Sequence, residues 1–424
     1  MDLTRALASI SPQFRFPTSR EIDARIGALT SAFPSRVQAE TIGWSREGRP
    51  LRRLKIGSGS RHAVVVGMPH PNEPTGALGG LGLAELLCRD DSLREDLGFT
   101  WHIVPCADPD GSVLNKSWFA GPFSRESYAV GIYRPPLAED FEWTFRRDDL
   151  LEPGMPHIPE TAAVMALLDD VRPELMVSMH NGEAGGLYTY VTDSGPSIVN
   201  GFRETSLLTG LPVDHGFPEG SEAKLSPGVF YSKPLLDGGP RLSSTDYAAK
   251  HGTFGVVVEP PLWVVPAVAD TTPTGTTAAQ LHDYIEQQRS VVRSEYSGWL
   301  DRLDKGTPRE SARWRAVHAG TGHLAQAWHP MADADQRLTV AEVSTVNRLF
   351  DLERLRLAGH IVAAIADSPA PVTPAERAVQ RDAAAAIERW SSVAISGAFC
   401  GLEASVAAHV GIALTSAEAI NRLN

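Results

Sequence analysis

The sequence is poor in cysteine, in long apolar runs and in basic charge, and each shortage excludes a class of protein. Three widely spaced cysteines in 424 residues, Cys88, Cys106 and Cys400, exclude a disulfide framework and a zinc ribbon. A formal net charge of -12 argues against a nucleic-acid partner, which would need a basic face. No stretch reaches the roughly 20 apolar residues that span a bilayer, and the acidic amino terminus is no signal peptide. We therefore expect a cytoplasmic protein without a membrane or nucleic-acid partner.

The pattern of apolar residues divides the chain into two parts. Hydrophobic residues make up 42% and charged residues 21% of the chain, as in ordinary globular proteins. Up to about residue 265, strand and helix patterns alternate, which predicts an α/β fold with a mixed, mostly parallel twisted sheet flanked by helices. Beyond residue 265, the apolar residues recur at helical spacing and capping-box sequences are frequent. We predict a first domain over 1–265 and a helical extension or subdomain over 266–424, a candidate surface for a homo-oligomer.

A short apolar run, residues 63–68, leads directly into two residues that can bind a metal. His70 and Glu73 follow it, three positions apart, before an Ala/Leu/Gly-rich segment that predicts a helix. Pro71 and Pro74 push the residues before them out of the α region, so this is not a helical zinc motif. The order strand, loop, helix places both side chains at the carboxyl end of a strand, where open α/β sheets bind ligands. The alternative is a polar loop that caps the helix through Thr75.

Two further strands end in groups of the same kind. His180 follows the apolar run 175–179, and Glu259 ends the run 255–258. Two imidazoles and one carboxylate suit a catalytic zinc ion, with a fourth position left for water. The long separation of Glu73 from His180 is typical of a catalytic site and not of a compact structural one. Glu259 could instead be a charge that ends an aggregation-prone strand, and Glu183 is a rival base.

An ordered set of short motifs over residues 40–265 resembles the carboxypeptidase A-like zinc metallocarboxypeptidases. The chain is similar to a divergent, bacterial-type member with a C-terminal helical extension. The resemblance implies that His70, Glu73 and His180 bind one catalytic zinc ion and that Glu259 is the general base and acid. The motifs are Glu47-Gly48-Arg49-Pro50, His70-Pro71-Asn72-Glu73, Asp108-Pro109-Asp110-Gly111 as a variant of an Asn-Pro-Asp-Gly turn, Ser178-Met179-His180, and Glu259.

The same resemblance implies arginines that bind the substrate. The family uses one to polarise the scissile carbonyl and others to bind the terminal carboxylate, which a planar guanidinium contacts with two hydrogen bonds. Arg134 and Arg146 are the candidates. Both lie in residues 112–160, an irregular, aromatic-rich segment of the kind that often forms binding loops. Arg125 is a rival for the first role. The Asn-Arg pair of true carboxypeptidases is missing.

These residues predict zinc-dependent, carboxypeptidase-like hydrolysis of an amide bond in a peptide or peptide-like small molecule. Zinc lowers the pKa of its water toward about 7, so that Glu259 can take a proton and pass it to the leaving nitrogen. Tyr231 and Tyr247 are candidates for the family's substrate-capping tyrosine. One alternative is an N-acyl amino acid deacylase or amidohydrolase of the same mechanism. Another is an inactive metal-binding or assembly protein, which the intact set of four residues disfavours.

Overall fold

The computed structural model describes residues 1–146, 157–192, 195–217, 223–232, 241–303, 310–320, 333–394 and 397–423. The strands within these ranges are β1 (Val37–Trp44), β2 (Pro50–Ile56), β3 (Arg61–Gly67), β4 (Phe99–Val104), β5 (Phe145–Arg146), β6 (Leu175–Met179), β7 (Gly182–Gly185), β8 (Tyr188–Val191), β9 (Ala223–Ser226), β10 (Val229–Tyr231), β11 (Arg241–Leu242), β12 (Phe254–Glu259), β13 (Pro261–Val264), β14 (Pro273–Thr277), β15 (Arg337–Thr339) and β16 (Ala398–Phe399).

The helices within the same ranges are α1 (Leu3–Ala8), α2 (Ser19–Ala32), α3 (Thr75–Arg89), α4 (Asp91–Leu97), α5 (Pro109–Phe119), α6 (Arg125–Gly131), α7 (Pro159–Val171), α8 (Val199–Thr209), α9 (Ser244–Ala249), α10 (Ala278–Asp301), α11 (Ala312–Ala319), α12 (Val340–Ala366), α13 (Pro374–Ala394) and α14 (Leu402–Asn421). Short 3-10 turns cover Glu142–Thr144 and Pro266–Ala269. None of these described helices is both long and apolar enough to cross a membrane.

A mixed sheet forms the centre of the fold. Its nine strands in the described residues have the order β1-β2-β4-β3-β6-β12-β8-β10-β9. The four central strands β4, β3, β6 and β12 are parallel, whereas β2 and β8 join this group antiparallel on either side. The predicted fold class, a mixed α/β sheet flanked by helices, is confirmed. The carboxyl ends of the central strands therefore meet at one edge of the sheet.

Helices cover both faces of the sheet because its central strands are apolar on both faces. All six residues of β4 and all five of β6 are buried, as expected of strands in the middle of a parallel sheet. Val65 points toward the helices α3 and α14, and Val64 toward α7 and α9. Glycines let α3 pack closely on its neighbours: a Cβ at Gly80 would lie 3.4 Å from Ile103 of the sheet, and one at Gly82 would lie 2.8 Å from Val406 of α14.

The segment predicted as irregular after Asp108 contains two helices. Asp108 is the N-cap of α5, since its Oδ1 accepts the N–H of Gly111 at 2.8 Å. Pro109 occupies the first turn, where its missing N–H and fixed φ suit a helix. The prediction of an irregular segment is therefore wrong for α5 and α6, because Asp-Pro-Asp-Gly starts a helix here as well as making a turn.

The C-terminal helices share their core with the sheet. One apolar cluster contains Val65 and Val177 of the sheet together with Val406 and Ile412 of α14. Helix α14 is buried along most of its length. The capping box predicted at the start of α12 is present, with Thr339 and Glu342 hydrogen-bonded to each other. The domain boundary at residue 265 stays a prediction, but the packing across it is continuous.

Candidate metal centre and active site

Three buried side chains meet at the carboxyl edge of the central strands. His70, Glu73 and His180 each place one ligand atom within 4.8 Å of the others. The imidazole ring centroids are 4.9 Å apart, and His180 Nδ1 lies 2.9 Å from Glu73 Oε2. The three residues are 6–7% exposed. The sequence predicted these residues as metal ligands from strand ends far apart in the chain, and the fold brings them together.

The backbone around the first two ligands is strained and tightly packed. After β3 ends, Met68 adopts a left-handed φ of 48°, a conformation that costs a non-glycine residue about 1–3 kcal/mol. A Cβ at Gly76 would lie 1.8 Å from the carbonyl oxygen of Met179. Only glycine allows the start of α3 to touch the end of β6, and this contact places Glu73 next to His180.

A carboxylate holds one ring nitrogen of each imidazole. Asp140 Oδ1 lies 3.0 Å from His70 Nδ1, and Glu142 Oε1 lies 3.3 Å from His180 Nε2. The other ring nitrogens, Nε2 of His70 and Nδ1 of His180, thereby keep their lone pairs for a metal ion. Such carboxylate partners fix the tautomer and orientation of metal-binding histidines.

Sequence reasoning missed Asp140 and Glu142. Both are buried, and they flank Phe141 within the segment predicted to form binding loops. Glu142 also accepts hydrogen bonds from Ser178 Oγ at 2.9 Å and from Ser244 N and Oγ at 2.7 Å each. The available signal was a pair of acidic residues inside an aromatic-rich segment, since acidic residues in such surroundings need buried partners.

Glu259 lies beside the three ligands at the end of β12. Its Oε1 is 3.8 Å from His180 Nδ1, on the metal-facing side of that ring, and the residue is 4% exposed. The rival base Glu183 has other partners: its Oε1 accepts hydrogen bonds from Tyr128 Oη and from Arg356 Nη2, the latter at 2.7 Å. Its position on the metal-facing side of His180 favours Glu259 over Glu183 as a proton acceptor.

The electrostatics of the cluster fit a divalent cation. Four buried carboxylates, those of Glu73, Asp140, Glu142 and Glu259, surround the two imidazoles. Burial opposes charge on His180, yet Glu259, Glu142 and Glu73 raise its pKa well above the usual range. Burial likewise disfavours ionised Glu73, but His70, His180 and Arg134 outweigh it and lower its pKa to about 2. A field that draws a proton onto a buried imidazole will equally hold a metal cation between these ligands.

The structure places Arg134 at the triad. Arg134 Nη1 donates to Glu73 Oε1 at 2.9 Å, and its Nε donates to Asp140 Oδ2 at 3.0 Å. Arg146 is buried in β5, four residues beyond Glu142. The rival Arg125 donates to backbone carbonyls near the C-terminal helices, those of Gly397 at 2.7 Å and Ser391 at 3.5 Å.

Two of the motifs form one support beneath the ligand loop. Asp110 accepts hydrogen bonds from Arg49 Nη1 at 2.7 Å and from the backbone N–H of Glu47 at 3.0 Å. A Cβ at Gly111 would lie 2.6 Å from Pro71 in the loop between His70 and Glu73. The Glu-Gly-Arg-Pro and Asp-Pro-Asp-Gly segments therefore brace the loop and do not reach the ligand atoms themselves.

One secondary expectation is corrected by the hydrogen bonds. Thr75 makes no capping bond to α3, whose N-cap is Pro74; its hydroxyl faces the His180 carbonyl oxygen instead, at 3.2 Å. The capping alternative for this stretch is therefore wrong. The Tyr247 hydroxyl donates to Asp169 at 2.9 Å on α7, and the capping roles of Tyr231 and Tyr247 stay predictions.

Helices beyond residue 265 also reach the site, which the sequence did not reveal. Arg356 of α12 pairs with Glu183 at 2.7 Å and with Glu353 at 3.0 Å. His409 of α14 lies 3.1 Å from the hydroxyl of Thr75. An apolar period identifies a helix and its core face, but it does not show which distant loop a polar residue on that face will meet.

Comparison with known proteins finds a family that the site resembles. Residues 22–208 match the family model described as zinc carboxypeptidase. This part of the chain is similar to the zinc carboxypeptidases. Zinc is the metal of this family, and the triad supplies a fitting ligand set, so the predicted zinc cofactor is confirmed. The match includes His70, Glu73 and His180 and ends before Glu259.

Individual relatives of this family are distant. The chain is 25% identical over 261 residues to carboxypeptidase E of Caenorhabditis elegans, with 55% of this chain and 52% of that protein aligned. A metallo-carboxypeptidase from Burkholderia cenocepacia is 18% identical with a TM-score of 0.37, over 58% of this chain and 60% of that one. One from Pseudomonas aeruginosa is 20% identical with a TM-score of 0.39, over the same shares. The chain thus spans about half to three fifths of the length of these relatives.

Proposed function

We propose that the protein is a zinc-dependent hydrolase that cleaves an amide bond in a peptide or peptide-like small molecule, in the manner of a carboxypeptidase. The observation that carries the proposal is the buried cluster of His70, Glu73 and His180 with Glu259 beside it. Similarity to the zinc carboxypeptidases supports the same class of reaction.

Each residue of the cluster has a distinct task in this proposal. His70 Nε2, His180 Nδ1 and the Glu73 carboxylate would hold the ion, while Asp140 and Glu142 keep the two rings oriented. Zinc bound there would supply Lewis-acid polarisation of a carbonyl oxygen and a lowered pKa for water.

Glu259 moves the proton. Its carboxylate, buried at the end of β12 and facing the ligand side of His180, accepts a proton from the attacking water. It then delivers that proton to the leaving nitrogen, which makes the amine a competent leaving group. General acid–base catalysis of this kind contributes about 10²–10⁴-fold to the rate. Burial suits the task because few waters compete for the carboxylate oxygens.

Arg134 and Arg146 are the proposed substrate-binding residues. Arg134 is adjacent to a metal ligand through its contact with Glu73, and from there it can polarise a carbonyl that enters the site. Arg146, buried in β5, is the candidate for binding a carboxylate, because a planar guanidinium can contact both carboxylate oxygens.

A deacylase of an N-acyl amino acid is the second candidate. Its substrate carries the free carboxylate in the same position relative to the scissile amide as a C-terminally free peptide, so both candidates need the same carboxylate site. Glu73 and Asp140 already neutralise Arg134, which leaves Arg146 as the candidate for that carboxylate in both reactions. The two candidates differ only in the group on the acyl side of the amide.

We further propose a cytoplasmic location, a catalytic unit over 1–265 and a homo-oligomer that forms through 266–424. All three thiols are free, and burial raises the pKa of Cys88 to about 11, which suits inert thiols in a reducing compartment.

A substrate panel with a matched variant tests the reaction. C-terminally free peptides, their amidated forms and N-acyl amino acids are offered to the zinc-loaded protein and to Glu259→Gln. We expect hydrolysis by the wild type only, with equal zinc content in both proteins. Equal cleavage of free and amidated peptides would rule out the arginine carboxylate site, and an active Glu259→Gln would rule out its role as base.

A further inference from the structure

A buried histidine of the last helix contacts both segments that carry the metal ligands. His409 lies on α14 and is fully buried. Its Nε2 is 3.1 Å from Thr75 Oγ1, and Thr75 follows the ligand Glu73 by two residues. The Thr75 hydroxyl in turn faces the carbonyl oxygen of His180 at 3.2 Å and the side-chain oxygen of Asn181 at 3.0 Å.

Hydrogen-bond accounting assigns the direction of these bonds. The Thr75 hydroxyl has one proton, and the His180 carbonyl oxygen at 3.2 Å can only accept a hydrogen bond. The arrangement that pairs both groups has Thr75 donating to this carbonyl and accepting from His409 Nε2, which assigns the proton of His409 to Nε2. His409 Nδ1 is buried without a partner among the described residues. This is tolerable for a bare acceptor, whereas a buried N–H would lose a full hydrogen bond.

The ring of His409 is neutral and held in place. Burial, followed by the nearby charge of His180, lowers its pKa to about 3. It is also clamped by packing, since a Cβ at Gly79 of α3 would lie 2.6 Å from His409 Cβ. A rigid, uncharged donor of this kind adds no charge to the metal cluster and can act only by fixing geometry.

The segment that carries His180 is also hydrogen-bonded directly to the ligand Glu73. The backbone N–H of Asn181 points to Glu73 Oε2 at 3.4 Å, and Thr75 is fully buried. Rotation of Thr75 would therefore loosen the Glu73 segment and the His180–Asn181 segment together. Metal affinity depends on such supporting hydrogen bonds, whose removal commonly costs 10–100-fold in binding.

We propose that His409 is a positioning residue that locks the Glu73 and His180 segments, through Thr75, into the geometry that binds the metal. The proposal rests on the metal site of the proposed function and adds to it a residue supplied by the C-terminal helices. It makes His409 a support of the metal site that is supplied from outside the catalytic unit.

Zinc titration of the metal-stripped, full-length protein against a chromophoric chelator tests this, with thermal unfolding of the stripped protein measured in parallel. His409→Leu removes the donor, and His409→Gln keeps an N–H near the position of Nε2. Val406→Ala is the matched control, because it loosens α14 against Gly82 of α3 without touching the hydrogen bonds. We expect zinc affinity to fall about 10-fold or more in His409→Leu, to recover largely in His409→Gln, and to stay unchanged in Val406→Ala although its unfolding temperature drops.

The outcomes are separable. If His409→Leu binds zinc as tightly as the wild type, or if His409→Gln binds as weakly as His409→Leu, the positioning role is wrong while the metal site stands. If the affinity loss in His409→Leu is matched by Val406→Ala, packing and not the hydrogen bond is the cause, which also overturns the role. A wild-type protein that takes up no zinc would instead refute the proposed function itself.

Discussion

The substitution Asp140→Asn should weaken zinc binding without unfolding the protein. Asp140 Oδ1 accepts the N–H of Glu142 at 3.1 Å, its Oδ2 accepts Arg134 Nε at 3.0 Å, and both oxygens flank His70 Nδ1. An asparagine amide has one oxygen, so its NH₂ must face the donor of either Glu142 or Arg134. His70 Nδ1 then lies between an NH₂ group and a neutral amide oxygen, which is a weaker acceptor than the carboxylate that fixes its tautomer.

The expected loss follows from partners of this type. Removing a carboxylate that orients a metal-binding histidine costs 10–100-fold in affinity, or about 1.4–2.7 kcal/mol. Chelator competition on the metal-stripped protein measures it. Asp367→Asn is the control: it makes the same chemical change in a 59% exposed partner of Arg313, and such pairs contribute about 0–1 kcal/mol. Unchanged zinc affinity in a folded Asp140→Asn protein would refute the assigned role of Asp140.

Three further predictions concern the surroundings of the site. Gly76→Ala should destabilise the fold by at least about 1–3 kcal/mol, because its Cβ would lie 1.8 Å from Met179 O. Gly27→Ala, with nothing within 4 Å, should stabilise slightly in the same urea unfolding assay, and equal effects would contradict the packing argument. Arg356→Met should cost more than about 2 kcal/mol by leaving Glu183 and Glu353 unpaired, whereas Arg389→Met, 61% exposed, should cost under about 1 kcal/mol. Burial, then Arg53 and His62, lowers the pKa of His102 from 6.5 to about 3; the unfolded chain therefore binds more protons between these values, and stability should fall as pH drops from 6.5. Urea unfolding at pH 7 and pH 5 should show a smaller acid loss in His102→Gln than in the wild type; an equal loss would contradict the shift.

The site residues that could be predicted from the sequence are those that directly follow a short apolar run. His70, Glu73, His180 and Glu259 each follow an apolar run that is too short for a helix, and parallel strands bring such ends to one edge of a sheet. The apolar runs 63–68, 175–179 and 255–258 correspond to β3, β6 and β12 within two residues for the same reason.

The parts that the sequence did not reveal depend on contacts between distant segments. Asp140 and Glu142 lie where no period guides the assignment, and their roles appear only once His70 and His180 stand beside them. His409 and Arg356 lie on helices whose apolar residues indicate a face packed on the core. The helical spacing does not show which distant loop a polar residue beside that face will contact. Asp108 could start either a turn or a helix, and α5 resolved this choice through its packing.

The most direct test of the account is zinc titration of the metal-stripped wild-type protein, followed by calorimetry and activity on the substrate panel, with Glu73→Gln and His180→Asn as variants. The account predicts one zinc ion bound per chain, restoration of amide hydrolysis by that ion, and loss of both in the two variants. A stripped protein that is folded, holds no zinc and still hydrolyses amides at the full rate would contradict it.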